Sequence, residues 1–233
     1  MIVIKKSDFD AYAIRHSGQV FLDFPCEIIE EQDKVIIRGK DEAWLRNFFD
    51  IDTDYGLIKK ELSQFDVLKK PIESGGGIRI LRQPFAQTLI SFIISANNNI
   101  KRFTKTIEQI DFGNLSEYSE QDFKNMGCGY RAPYLVKTIK QLETTSFDEL
   151  KKLDNAELRK KLMTFAGVGR KVADCVMLFA FHRLDVAPVD TWIKKAMEQL
   201  DPTQAEEIFN HKYAGVAQQY IFYYLQHEKK RLG

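Results

Sequence analysis

LMTFAGVGRKVADCVMLFAFHRLDVAPVDTW, residues Leu162 to Trp192, reads as the end of one helix, a Gly-Val-Gly hairpin and a second helix that starts at Arg170. Gly167 and Gly169 permit positive φ and the close approach of another backbone. The second helix carries Val172, Val176, Phe179 and Ala180 at roughly helical spacing, which buries one face. Lys171 breaks that amphipathic pattern, because it sits in the first turn directly after the glycines. The positive end of the helix dipole is unfavourable to an ammonium there, and a neutral amine is what a nitrogen nucleophile requires. Pro188, Val189 and Asp190 close the stretch, with Asp190 placed as a helix N-cap before Thr191 and Trp192. Taken alone, the hairpin is equally a phosphate-binding turn with Lys171 as a solvated surface charge.

Upstream of this stretch the hydrophobic period changes. Residues 1 to about 40 alternate short apolar runs (Ile2 to Ile4, Val20 to Phe24, Ile28 to Ile29, Val35 to Ile37) with Gly18, Pro25, Asp33 and Gly39 between them. Their β-branched and aromatic content predicts a small antiparallel sheet, covered by helices over Glu42 to Phe49 and Tyr55 to Phe65. Gly75-Gly76-Gly77 is the sharpest composition break and is expected to be a hinge into a second, helical region. From Leu81 the period becomes about 3.6: Phe85, Leu89, Phe92 and Ile93 share one helix face that ends at Asn97-Asn98-Asn99. Further helices are expected from Ile100 to Ile110, Asp122 to Met126, Pro133 to Thr144, Asn155 to Met163, Gln204 to Phe209 and Val216 to His227. The expected fold class is α+β: a small N-terminal antiparallel β-sheet domain at 1–78, a mainly helical domain with a helix-hairpin-helix motif at 79–195, and C-terminal helices at 196–233.

Composition removes several function classes. The 233 residues are 44% hydrophobic and 29% charged, as in an ordinary soluble domain. There is no apolar run long enough to span a membrane, and the start, MIVIKKSDFDAY, turns acidic too soon for a signal peptide. Cys26, Cys128 and Cys175 are scattered and odd in number, which disfavours a disulfide framework and points to a reducing, intracellular setting. Three isolated cysteines also fall short of a four-cysteine iron–sulfur site, so no metal is expected. The net charge of +1 is neutral on nucleic acid, because phosphate contacts need only local positive charge. Arg159-Lys160-Lys161 and Lys229-Lys230-Arg231 are the candidate basic clusters.

GVGRKVADC (Gly167 to Cys175) followed by PVD (Pro188 to Asp190) resembles the helix-hairpin-helix DNA glycosylases that carry a catalytic lysine, most closely the 8-oxoguanine DNA glycosylase/lyase branch. Four further stretches match that branch in its own order: SGQVF (Ser17 to Phe21), LRQPFAQTLISFIISANNNIKR (Leu81 to Arg102), GCGYRAPYL (Gly127 to Leu135) and YAGVAQQYIF (Tyr213 to Phe222). The resemblance implies double-stranded DNA containing 8-oxoguanine as substrate, no cofactor, no membrane association and a monomer. It also implies residence with the genome, in a prokaryotic cytoplasm and nucleoid or a eukaryotic nucleus.

It implies site residues as well. Lys171 would be the nucleophile and Asp190 the second catalytic group, while Gly167 and Gly169 meet the DNA backbone. The lesion base would be held by Gly18, Cys175, Gln218 and Phe222. Asn97 would fill the vacated stack, with Arg102, Tyr130 and Arg131 around the opposite cytosine. Base choice has a physical basis: N7 accepts a hydrogen bond in guanine but donates one in 8-oxoguanine, so a buried carbonyl at Gly18 pairs with the lesion and goes unsatisfied against guanine. The sequence departs from the family in three places. Ala166 stands where a proline is usual, Trp192 stands where a phosphate-contacting histidine is frequent, and the N-terminal part is shorter than in animal members. A sister glycosylase for another damaged base and a non-catalytic helix-hairpin-helix DNA-binding module remain alternatives on sequence alone.

Overall fold

The structure, a computed structural model, describes residues 1–198 and 200–232, the side chains of 100–101 and 227–232 excepted. The chain forms two compact units: residues 1–82 together with 182–233, and residues 83–181.

In the first unit, β1 (Ile2–Lys5) leads to α1 (Ala11–His16), then to β2 (Glu27–Glu30) and β3 (Lys34–Arg38). The sheet is antiparallel in the order β1-β3-β2, with Ile37 opposite both Ile2 and Ile28. Helices α2 (Glu42–Phe48), α3 (Tyr55–Leu62) and α4 (Asp66–Gly75) follow. Asp10, Asp41 and Asp54 each accept from a backbone N–H three residues on, which fixes where α1, α2 and α3 begin. The core gathers Ile2, Phe9, Ile14, Phe24, Val35, Ile37, Leu45, Phe49 and Leu81, with Phe9 and Phe24 both edge-on to Phe49 at 5.2 Å. Through this core runs Arg79, 2% exposed. Its guanidinium lies over the Tyr55 ring and donates to the carbonyls of Asp8, Phe49, Asp50, Ile51 and Thr53. A buried cation is tolerable because each of the three guanidinium nitrogens donates to at least one carbonyl oxygen.

The second unit holds α5 (Phe85–Ser95), α6 (Ile100–Ile107), α7 (Glu120–Asn125), α8 (Ala132–Glu143), α9 (Phe147–Lys152), α10 (Asn155–Leu162) and α11 (Arg170–Phe179). Thr88 to Ile94 of α5 are all buried, and α5 packs on α6, α8 and α11. Phe92 of α5 stacks on Phe179 of α11 at 5.5 Å. Capping boxes at Ser119/Asp122 and Asp154/Glu157 start α7 and α10. The chain then returns to the first unit through α12 (Thr191–Met197), α13 (Pro202–Phe209) and α14 (Ala214–Leu232), the last packed along α4.

The sheet-then-helices reading agrees with these elements, with several corrections. Val20 to Phe24 is not a strand; Val20 and Phe24 enter the core from an irregular segment that ends at Pro25, which has no N–H for a ladder. The three glycines are not a hinge. Gly75 ends α4, Gly76 caps it, and the Gly77 carbonyl accepts from Asp10 N at 2.9 Å inside the first unit. The chain passes between units at residues 82 and 83 instead, and 196–232 groups with the N-terminal residues. Helices α1, α4 and α9 have no counterpart among the helices expected from the sequence. The Lys229-Lys230-Arg231 cluster lies outside the described side chains.

Candidate active site and nucleic-acid interface

The second unit carries the hairpin. Helix α10 stops at Leu162, and the Val168 N–H bonds the Phe165 carbonyl at 3.2 Å across Ala166 and Gly167. Gly167 has φ +79, which makes Phe165–Val168 a type II turn with glycine at its third position. The other hairpin glycine differs from expectation: Gly169 is extended, φ −91 and ψ 179, and serves as the N-cap of α11 with no side-chain cap. The N–H groups opening α11 are therefore not taken by a capping side chain, the arrangement that suits an anion.

Lys171 follows on the first turn of α11. Its Nζ lies 5.2 Å from the centroid of the Phe92 ring, and among the described residues it has no salt-bridge partner. Cys175, one turn on, is buried at 3% exposure. Asp174, between them, ties α11 to α10: Arg159 Nε donates to its Oδ1 at 2.5 Å, with Arg170 3.8 Å from Oδ2. Burial pushes the Asp174 carboxyl up, and the two arginines oppose that. Within Arg159-Lys160-Lys161, then, Arg159 is occupied in the fold while Lys160 and Lys161 face solvent.

The same unit assembles the wedge group. Asn97 is exposed at φ +50, a conformation asparagine tolerates better than most residues. Arg131 is buried, and its guanidinium donates to the carbonyls of Ala96 and Asn97, the latter at 2.9 Å. It therefore braces the Asn97 turn. Tyr130 is exposed, with its ring under the Arg131 guanidinium at 4.4 Å, and Arg102 Nη2 donates to the Gly127 carbonyl at 3.1 Å. Arg131 thus joins the Asn97 turn to Tyr130, while Arg102 reaches the chain just before them, at Gly127.

The first unit brings Gly18 and Phe222 together. Gly18 has φ +75, and a Cβ there would lie 2.9 Å from Phe222 Cε1. What fixes Gly18 was not anticipated: the Gln19 amide is completely buried, donates to Ser17 Oγ and the Arg79 carbonyl, and accepts from Leu81 N at 2.9 Å. The SGQ triplet is therefore a turn bolted to the Arg79–Leu81 segment. Gln218, one turn before Phe222 on α14, is 4% exposed, and its Oε1 accepts from Gln219 Nε2. Asp190 caps α12, accepting from the N–H groups of Trp192 and Ile193 at 2.9 Å. One carboxylate oxygen is thus engaged by the helix start. Lys171 and Cys175 belong to one unit; Asp190, Gly18, Gln218 and Phe222 belong to the other.

Known proteins resemble this chain along most of its length. A family model described as 8-oxoguanine DNA glycosylase, N-terminal domain, matches residues 1–89. The N-glycosylase/DNA lyase of Saccharomyces cerevisiae is 35% identical over 152 residues, 51% of this chain but 40% of that protein, so the match spans well under half of the yeast protein. The probable N-glycosylase/DNA lyase of Methanothermobacter thermautotrophicus is 28% identical over 224 residues, 78% of this chain and 67% of its own length. The Clostridium acetobutylicum 8-oxoguanine glycosylase/lyase, solved with double-stranded DNA containing cytosine opposite to 8-oxoG, superposes with a TM-score of 0.85 at 31% identity, covering 98% of this chain and 99% of that one.

Proposed function

We propose that this chain, which belongs to the 8-oxoguanine DNA glycosylase family, excises 8-oxoguanine from duplex DNA and then nicks the strand as a β-lyase. The observation that carries this is Lys171: an amine without a described counter-ion, on the first turn of a helix whose start has no side-chain cap, directly after a glycine hairpin.

The chemistry follows from the side chains. The lesion nucleotide leaves the stack, which costs a few kcal/mol. The Lys171 nitrogen attacks C1′ and the base departs with the electrons of the glycosidic bond, taking up a proton. The sugar ring opens to a Schiff base between Nζ and C1′. The iminium acidifies C2′; loss of that proton sends electrons toward C3′ and expels the 3′ phosphate, which breaks the strand. Neither step requires a metal or an organic cofactor. The Asp190 carboxylate, held in place by the α12 N–H groups, stabilises the positive charge that grows on the sugar as the base leaves.

Gly18 supplies the carbonyl that accepts from N7–H of the oxidised base, Gln218 reads the Watson–Crick edge, Phe222 stacks on the ring, and Cys175 closes the slot. The Gly167–Gly169 turn and the start of α11 take backbone phosphates. Asn97 enters the vacated stack while Arg102, Tyr130 and Arg131 favour cytosine, whose O2 and N3 are acceptors. The chain acts as a monomer wherever the genome resides. Among the described residues no helix is long and apolar enough to cross a membrane.

The test is strand cleavage on duplexes carrying 8-oxoguanine opposite each of the four bases, alongside uracil and alkylated-base duplexes. Fastest cleavage is expected for 8-oxoguanine opposite cytosine. Faster release of uracil or an alkylated base moves the chain to a sister specificity.

A further inference from the structure

Helix α8 touches the hairpin at four points from one face. Gln141 Nε2 donates to the Thr164 carbonyl at 3.0 Å, and its Oε1 accepts from Ala166 N at 3.1 Å. Thr138, one turn earlier and completely buried, donates from Oγ1 to the Ala166 carbonyl at 3.0 Å. One turn earlier again, the Tyr134 ring lies 3.0 Å from where a Gly167 Cβ would stand. Residues 134, 138 and 141 recur at spacings of four and three, so they form a single stripe.

Ala166 occupies the second position of the type II turn, where proline is favoured because its ring presets φ. Without that ring the turn keeps a backbone N–H and greater freedom when unbound. Here the N–H is the group that Gln141 accepts from, a bond a proline could not make.

We propose that Tyr134, Thr138 and Gln141 are positioning residues for DNA binding, and that the Gln141 amide does for this hairpin what a proline at position 166 would do. The proposal rests on the hairpin being the DNA-backbone contact. Its consequence is a split between affinity and chemistry: loosening the turn from outside weakens its grip on phosphates while leaving Lys171, on the far side of Gly169, on an intact α11. Tyr134 also packs edge-on to Tyr130 at 6.3 Å, so α8 contacts both the hairpin and part of the wedge group.

The experiment measures the Kd for an undamaged duplex, the single-turnover rate at saturating 8-oxoguanine duplex and the Tm, for wild type, Gln141→Ala, Thr138→Val, Ala166→Pro and Gln141→Ala/Ala166→Pro. Gln141→Ala should weaken duplex binding about 5- to 30-fold, the worth of one to two lost hydrogen bonds at about 1 kcal/mol each, with the saturated rate unchanged. Thr138→Val should move Kd the same way. Ala166→Pro should weaken binding in the wild-type background, yet restore it when Gln141 is already alanine. Equal effects of Ala166→Pro in both backgrounds, or a fall in Tm and saturated rate with no change in Kd, would overturn the proposal. Because the duplex is undamaged, failure of wild type to excise 8-oxoguanine leaves this test intact. Failure of wild type to bind duplex DNA at all removes both.

Discussion

Replacing Gly18 by alanine separates base recognition from strand cleavage. An L-residue at φ +75 costs about 1–2 kcal/mol. The new Cβ would also lie 2.9 Å from Phe222 Cε1 and 3.3 Å from Cζ, so the ring has to retreat by roughly half an ångström to reach ordinary contact. Phe222 sits on α14, which packs along α4, so the ring rather than the helix yields. The strain should lower the melting temperature by roughly 2–8 °C for a chain of this size. If the Gly18 carbonyl and Phe222 jointly hold the oxidised base, losing that geometry removes a hydrogen bond worth about 1–3 kcal/mol. Excision then slows roughly 5- to 150-fold. Nicking of a preformed abasic site needs no base and should stay near the wild-type rate. The assay compares single-turnover cleavage of an 8-oxoguanine duplex with that of an abasic duplex. Equal losses on both substrates, or no loss on either with the expected fall in Tm, would refute the assignment of Gly18 to the base.

Gln19→Leu leaves the Leu81 N–H and the Arg79 carbonyl without their buried partner. It should destabilise by about 2 kcal/mol or more in urea unfolding, and an unchanged midpoint would show that these bonds contribute nothing. Asp50 gives a pH signature. Burial opposes its ionisation, but the hydrogen bond and charge of His182, then Arg82 and Thr53, outweigh it and hold the carboxyl below the usual value. A lowered folded-state value stabilises above the unfolded value of about 3.9, and that stabilisation is lost as pH falls through the folded value. The stability gap between wild type and Asp50→Asn should therefore be present above about pH 4 and shrink below it. A gap that stays flat into acid would contradict it.

The parts legible in sequence were local. The hairpin, the start of α11 at Arg170, the Asp190 cap and the end of α5 before the three asparagines each depend on residues within a few positions. What escaped were bonds over long separations. Gln19 reaches Leu81 across 62 positions, and Gln141 reaches Ala166 across 25. Nothing in either neighbourhood marks a glutamine as buried or clamping. Gly75-Gly76-Gly77 misled for a related reason, since composition does not distinguish a linker from a close approach, and Gly77 is pressed against Asp10. Arg131 shows a third limit. Its residue type suits a base contact, and only the fold shows that its guanidinium also braces the Asn97 turn.

The amine at position 171 is the claim on which the rest depends. Borohydride reduction in the presence of an 8-oxoguanine duplex, followed by peptide mapping of the trapped adduct, tests it directly. A single sugar-modified peptide containing Lys171, absent from Lys171→Gln, is the predicted result. An adduct on another amine, or the same adduct yield from Lys171→Gln, would contradict the account.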